Sequence, residues 1–173
     1  LPKGRRVAIM SYSGGGAVLA IDSIEKAGLS LAHFSVATKA KIANLFPDWI
    51  GIDNPLDVWI PVSRDLQSAF PRMLEAVLAD DGVDAVICIY CSYTLPKYEA
   101  YDCTAHITKI ASEHPDKPIA CWSYGIDIAG FTKAIETNGN AMVFPSLDAA
   151  AITLEKLVQC RENRDRLSAR HVE

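Results

Sequence analysis

Five short apolar runs alternate along the chain with longer stretches whose apolar residues recur at helical spacing. That alternation narrows the fold more than any other feature. The runs predict strands over 6–12, 31–34, 85–91, 118–122 and 141–144. Each connection is long enough for a right-handed crossover, which demands a parallel sheet. The expected architecture is α/β: a doubly wound, five-stranded parallel sheet of order 2-1-3-4-5. Its ligand crevice lies at the carboxyl ends of the strands, beside the first and third.

The predicted helices follow from spacing and capping signals. After the first strand, Ala17, Ala20, Ile21, Ile24 and Ala27 form one apolar face, and Gly28 stops the helix. Ser35 can cap a second helix that Pro47 ends. A third helix is expected from Ser63, with Leu66, Phe70, Met73, Leu74, Val77 and Leu78 buried and Pro71 marking a kink or a true start. Helices are also predicted over 97–113 and 126–137, and from Leu147. Residues 85–91 are continuously apolar, as a strand covered on both faces should be.

The first strand feeds Ser13-Gly14-Gly15-Gly16-Ala17, a glycine turn before a helix. Glycines admit unusual backbone conformations and close approach. A helix start offers unpaired N–H groups and partial positive charge, so this order suits an anion such as phosphate. It is also a plain tight turn. The third glycine of the dinucleotide fingerprint is replaced by Leu19, and no G-x-x-x-x-G-K-[ST] occurs. A side chain at Gly15 is expected to strain the turn if that residue has positive φ. Beyond it, the long aperiodic stretch 48–61 holds Trp49, Trp59 and the turn Asn54-Pro55-Leu56-Asp57. The crevice is expected to collect the glycine run, residues 92–95 and 123–125, with Asn54, Asp57, Ser92 and Ser123 as candidate lining residues.

Composition excludes several classes. With 173 residues, half of them apolar, the chain can bury one proper core. A net charge of −4 argues against a nucleic-acid surface. No apolar run nears the roughly 18 residues that span a bilayer, and no secretory leader is expected. Five cysteines in mostly apolar surroundings suit a reducing, cytoplasmic setting. Cys88 and Cys91, three apart in a strand, point to opposite faces, so neither a metal nor a redox bond is expected there. Residues 1–160 are expected as one domain, and 161–173 as a charged helical end or linker. The chain does not begin with Met, so it is expected to be a piece of something longer.

Arg6-Val7-Ala8-Ile9-Met10, the run Ser13 to Ala20 and Asp22 resemble the opening of the last domain of NDP-forming acyl-CoA synthetase α-subunits, relatives of succinyl-CoA synthetase. Asn54-Pro55-Leu56-Asp57 resembles their Asn-Pro-Val-Asp element, Lys117 to Trp122 their Lys-Pro-Val strand, and Phe144-Pro145 the Phe-Pro before their last helix. The resemblance implies a flavodoxin-like fold. It implies a ligase that uses CoA, ATP or GTP and Mg, passing phosphate through a histidine. The phosphate-cradling role falls on Ser13, Gly14, Gly15, Gly16 and Ala17. Tyr12, Gly16 and Ala17 depart from the family's Asn and Pro-Gly. The phosphohistidine segment and the CoA-binding and ATP-grasp domains would be partners, no cofactor or catalytic residue is expected here, and the chain alone is expected to be inactive. A homo-oligomer is compatible with this reading. Two other readings stand beside it: a stand-alone module binding a small anion or mononucleotide, and a hydrolase using Ser13 with His33 or His106.

Overall fold

The computed structural model describes residues 1–92 and 96–170. A parallel sheet is built from β1 (Arg6–Ser11), β2 (Ser30–Leu31), β3 (Leu56–Asp57), β4 (Ala85–Ser92), β5 (Ile119–Gly125) and β6 (Ala141–Phe144). Its order is β2-β1-β4-β5-β6, with β3 also pairing β1. This corrects the expected count of five and the expected order 2-1-3-4-5. The additional strand, β3, has only two residues, too few to show any periodicity. It lies beyond β2 on the same edge of β1: β2 pairs Arg6 and Val7, whereas β3 pairs Met10 and Ser11. The second strand is correspondingly shorter than expected.

Alternation along β1 and β4 explains the layering. Val7, Ile9, Ile87 and Ile89 face Ala17, Ala20 and Ile24 of α1 (Gly14–Lys26) and Ala150, Ala151 and Leu154 of α6 (Leu147–Arg170). Ala8, Met10, Val86, Cys88 and Tyr90 face the other way. There they meet α2 (Val36–Ile42), α3 (Trp59–Leu78), α4 (Thr104–Glu113) and α5 (Ile128–Ile135), through Ile42, Phe70, Met73, Ile107 and Phe131. Both faces of the sheet are therefore dry. Cys88 is one consequence: burial pushes its thiol up to about 12, and all five cysteines are free.

Several element boundaries differ from expectation. The third helix starts at Trp59, not Ser63, and its backbone breaks at Asp65, before Pro71. Asp65 Oδ1 accepts from Ser68 N–H at 3.2 Å, restarting the helix as a cap does. Residues 96–101 form a 3-10 turn, so the regular helix begins only at Thr104. Residues 123–125, expected as an exit turn, complete β5. Residues 161–170 continue α6 without interruption, and Arg5 pairs with Glu162 on it.

Asn54 fills the gap between β2 and β3. Its Oδ1 accepts from Ile9 N–H at 2.8 Å, while Nδ2 donates to the carbonyls of Val7 and Ala32, each at 2.9 Å. One amide thus replaces the missing ladder bonds along the middle of β1. At the opposite end of that strand, the almost fully buried Asp84 carboxylate accepts from Arg6 N–H (3.0 Å) and from its guanidinium (2.8 Å).

Two predictions follow from these contacts. Asn54→Ala removes three hydrogen bonds to the backbone, though Val7 O keeps the Ala32 N–H at 2.9 Å, and should cost about 2–4 kcal/mol, at roughly 1 kcal/mol per hydrogen bond. A fall in the urea midpoint with an unchanged slope would check it. Burial opposes ionisation of Asp84, but its bonds to Arg6 outweigh that and hold the carboxyl below the usual range. A depressed carboxylate stabilises above its unfolded pKa, near 3.9, and that contribution is lost as pH falls through the folded value. Thermal melts from pH 7 to 3 should show a decline beginning near pH 4, and Asp84→Asn should flatten it while lowering the plateau.

Candidate functional site

The carboxyl end of β1 runs directly into the start of α1. Ser11 is buried, and its Oγ donates to Ser13 O at 2.7 Å while accepting from Ser13 N–H at 3.0 Å. This clamp orients Ser13 as the cap of α1, with Oγ accepting from Gly16 N–H at 3.2 Å. Ala17 N–H donates to Ser13 O at 2.9 Å. The N–H groups of Gly14 and Gly15 are left without an intrahelical acceptor, as at any helix start. Both residues are exposed, and the first turn carries no acidic side chain to compete for its positive end.

The glycines are therefore the first turn of the helix rather than a loop before it. None has positive φ, so the strain anticipated at Gly15 is absent. Their lack of a side chain matters through space. A Cβ on Gly14 meets nothing within 4 Å, and one on Gly15 meets only Ser13 Oγ at 3.9 Å. A Cβ on Gly16 would press on Ile89 Cγ2 at 3.2 Å. Gly14 and Gly15 put no side chain over the helix start, while Gly16 lets α1 sit close to β4.

The other candidates divide. The side-chain amide of Asn54 is committed to β1 and β2, as described. Asp57 is exposed just before α3, its Oδ1 accepting from Trp59 N–H at 2.9 Å. Ser92 is buried with no partner for its Oγ, and Ser123 is buried with only a long bond, 3.4 Å, to Tyr124 O. Between them the β4 and β5 ends pack so tightly that a Cβ on Gly125 (φ 136°) would lie 2.8 Å from Ser92 O. The expected crevice residues 93–95 lie outside the described residues. Ser13 bonds no histidine among them. His106 meets Gln67 at 2.8 Å, and the backbone of His33 lies beside Gly82, before β4.

Sequence reasoning missed a cavity of about 380 Å³ next to this edge, lined by Tyr12, Trp59, Leu66, Tyr90, Cys91, Tyr101 and Tyr124 among others. Tyr90 is its fixed wall. Its hydroxyl donates to Tyr101 O and accepts from Cys103 N–H at 3.0 Å. Tyr12 meets Tyr90 edge-on at 5.0 Å, and the Tyr12 hydroxyl is buried without a partner. Burial raises both phenols well above the ordinary tyrosine value, the nearby thiols adding to the effect. A tyrosine within an otherwise aliphatic strand was the one signal available.

Fold and site together define a parallel α/β domain with an exposed, uncharged helix start at its carboxyl edge. Comparison with known proteins adds the family. The chain is 45% identical over 92 residues to acetate–CoA ligase (ADP-forming) II of Archaeoglobus fulgidus, a stretch covering 52% of this chain and 14% of that protein. It is 36% identical over 89 residues to the alpha subunit of acetate–CoA ligase (ADP-forming) II of Pyrococcus furiosus, covering 51% and 19%. The matched stretches thus cover less than a fifth of the length of either relative. A crystal structure from Pyrococcus horikoshii OT3 shares the fold with a TM-score of 0.75 and 24% identity, over 94% of this chain and 37% of that one. An acetyl-coenzyme A synthetase 1 of Ca. Korarchaeum cryptofilum shares it at 0.72 and 19%, over 93% and 34%. No protein-family model matches. The resemblance to NDP-forming acyl-CoA synthetases is borne out: over half its length this chain is homologous to ADP-forming acetate–CoA ligases. Among the described residues no helix is long and apolar enough to cross a membrane.

The glycines make a stability prediction of opposite signs. Gly15→Ala should leave the domain as stable or raise it by up to about 1 kcal/mol, because Ala favours helix and its methyl meets open space. Gly16→Val should lower stability by about 1–3 kcal/mol through overpacking against Ile89. Melting temperatures of the two variants check both.

Proposed function

We propose that this chain is the flavodoxin-like last domain of the α-part of an NDP-forming acyl-CoA synthetase, and that the start of α1 cradles the phosphate of a phosphohistidine presented by another domain. The observation that carries the reading is the coincidence of that homology with two exposed, unoccupied N–H groups, Gly14 and Gly15, in a first turn free of carboxylates. Ser13 Oγ stands beside them.

The chemistry follows from fixed dipoles. A phosphoryl group moving on or off histidine spreads negative charge over its oxygens. N–H groups held by a capped helix need not reorient to meet that charge, so they stabilise it at no cost in reorganisation. Ser11 and the Ser13 cap keep them aimed. The absence of Cβ atoms at Gly14 and Gly15 lets phosphate oxygens come within hydrogen-bond distance. In this reading CoA, ATP or GTP and Mg are handled by the CoA-binding and ATP-grasp parts. Among the described residues no three His, Cys, Asp or Glu side chains converge as metal ligands.

The test separates fold from function in the complete enzyme. Gly15→Val should leave the domain folded while phosphohistidine formation, followed with labelled phosphate, falls ~10²-fold or more, as when oxyanion donors are lost. Intact phosphohistidine formation in that variant would show that the glycines serve packing alone.

A further inference from the structure

The outer face of α1 breaks the pattern of a surface helix. From Gly14 to Ile21 the chain has no polar side chain, and the first charge comes at Asp22. Ala17, Ala20 and Ile24 already supply the face that packs on the sheet. Val18 and Leu19 are left 62% and 57% exposed where an amphipathic helix carries polar residues. One exposed apolar residue is ordinary, but these two adjoin each other and the bare glycines.

Their place on the helix ties them to its start. Gly14 and Val18 are four residues apart, as are Gly15 and Leu19, so the four positions share one face. Helical side chains lean toward the N-terminus, which brings Val18 and Leu19 toward the turn bearing the free N–H groups. A macromolecule that presents a phosphate to Gly14 and Gly15 therefore meets both side chains, whereas a free phosphate ion gains nothing from them. Beside Leu19 a groove of about 290 Å³ continues the patch toward Trp122 and Pro145. Its far end holds Asp22 and Asp148 against a single cation, Lys26, which lies 3.8 Å from Asp22. A second copy of this chain would bring the same excess of carboxylates and a net charge of −4 against it, so the patch is poorly matched to itself.

We propose that Val18, Leu19 and the adjoining groove are the surface on which the phosphohistidine-bearing domain docks, seating an apolar side chain there. The proposal rests on the cradle reading and adds the partner's contact surface to it. In that reading most of the parent protein lies outside this fold, since the matched stretches make up 14% and 19% of the related ligases. Apolar docking beside the helix start also excludes water from the phosphate, which strengthens the pull of the N–H groups on its charge.

The complete enzyme supplies the test. With the photo-crosslinker p-benzoylphenylalanine in place of Leu19, illumination should join α1 to a peptide of the phosphohistidine-bearing domain, identified by mass spectrometry. Val18→Gln combined with Leu19→Gln changes exposed positions without adding charge, so the melting temperature should hold. Phosphohistidine formation in that variant, followed with labelled phosphate, should fall about tenfold or more, the scale of losing one apolar side chain's burial. Val18→Ile combined with Leu19→Met keeps the face apolar and should retain the wild-type rate. A crosslink to a second copy, to a different domain or to no protein would overturn the proposal, and so would an unchanged rate in the glutamine variant. The cradle fails separately. If the crosslink forms as expected while Gly15→Val still makes phosphohistidine, the docking surface stands and the cradle falls. If Gly15→Val is inactive and the crosslink lies elsewhere, the cradle stands and the docking surface falls.

Discussion

The side-chain amide of Asn54 is the contact on which the arrangement of the carboxyl edge depends. β1 is central to the sheet, paired along its whole length to β4 on one side. On the other side it meets only two two-residue strands, with a gap between them. A central strand with unpaired N–H and C=O groups in a dry interior is costly. Asn54 supplies the missing donor and acceptor together, because a carboxamide has the same hydrogen-bonding pattern as a peptide group. It thereby anchors the chain that leads into β3, and β3 holds the end of β1 through Met10 and Ser11.

From there the consequences run to both sites. With its backbone paired to Asp57, Ser11 is placed to clamp Ser13, and the Ser13 cap decides which N–H groups of α1 are spent and which remain. One residue earlier, Tyr12 turns to the opposite face of the sheet and forms a wall of the aromatic cavity. The alternation of side chains along an extended strand thus separates the two sites although they are adjacent in sequence. A polar, exposed helix start lies on the α1 side. A dry, ring-lined cavity lies on the α3 side.

Homology and geometry carry different parts of the functional reading. The relatives at 45% and 36% identity connect half the chain to ADP-forming acetate–CoA ligases. They do not say what α1 does. At Gly14 and Gly15 a Cβ would meet open space or only Ser13 Oγ, and the backbone angles are ordinary, so relief of strain does not explain them. Gly16, by contrast, is explained by packing against Ile89. Of the three neighbouring glycines, packing thus accounts only for Gly16.

The sequence alone determined the α/β class, the parallel sheet, the capping of α2 by Ser35 and the burial of residues 85–90. All of these rest on local periodicity or on bonds between residues a few positions apart. Ser35 Oγ does accept from Thr38 N–H, at 3.1 Å. Tertiary structure decided the rest. A two-residue strand such as β3 has no period to read, and it exists only because β1 offers it partners. The role of Asn54 depends on bonds across 45 and 47 positions of sequence, so its turn chemistry suggested a loop when its amide was needed in the sheet. The aromatic cavity gathers Tyr12, Trp59, Tyr90, Tyr101 and Tyr124 from five separate segments. No spacing rule connects them; packing α3 against the carboxyl ends of β1, β4 and β5 does.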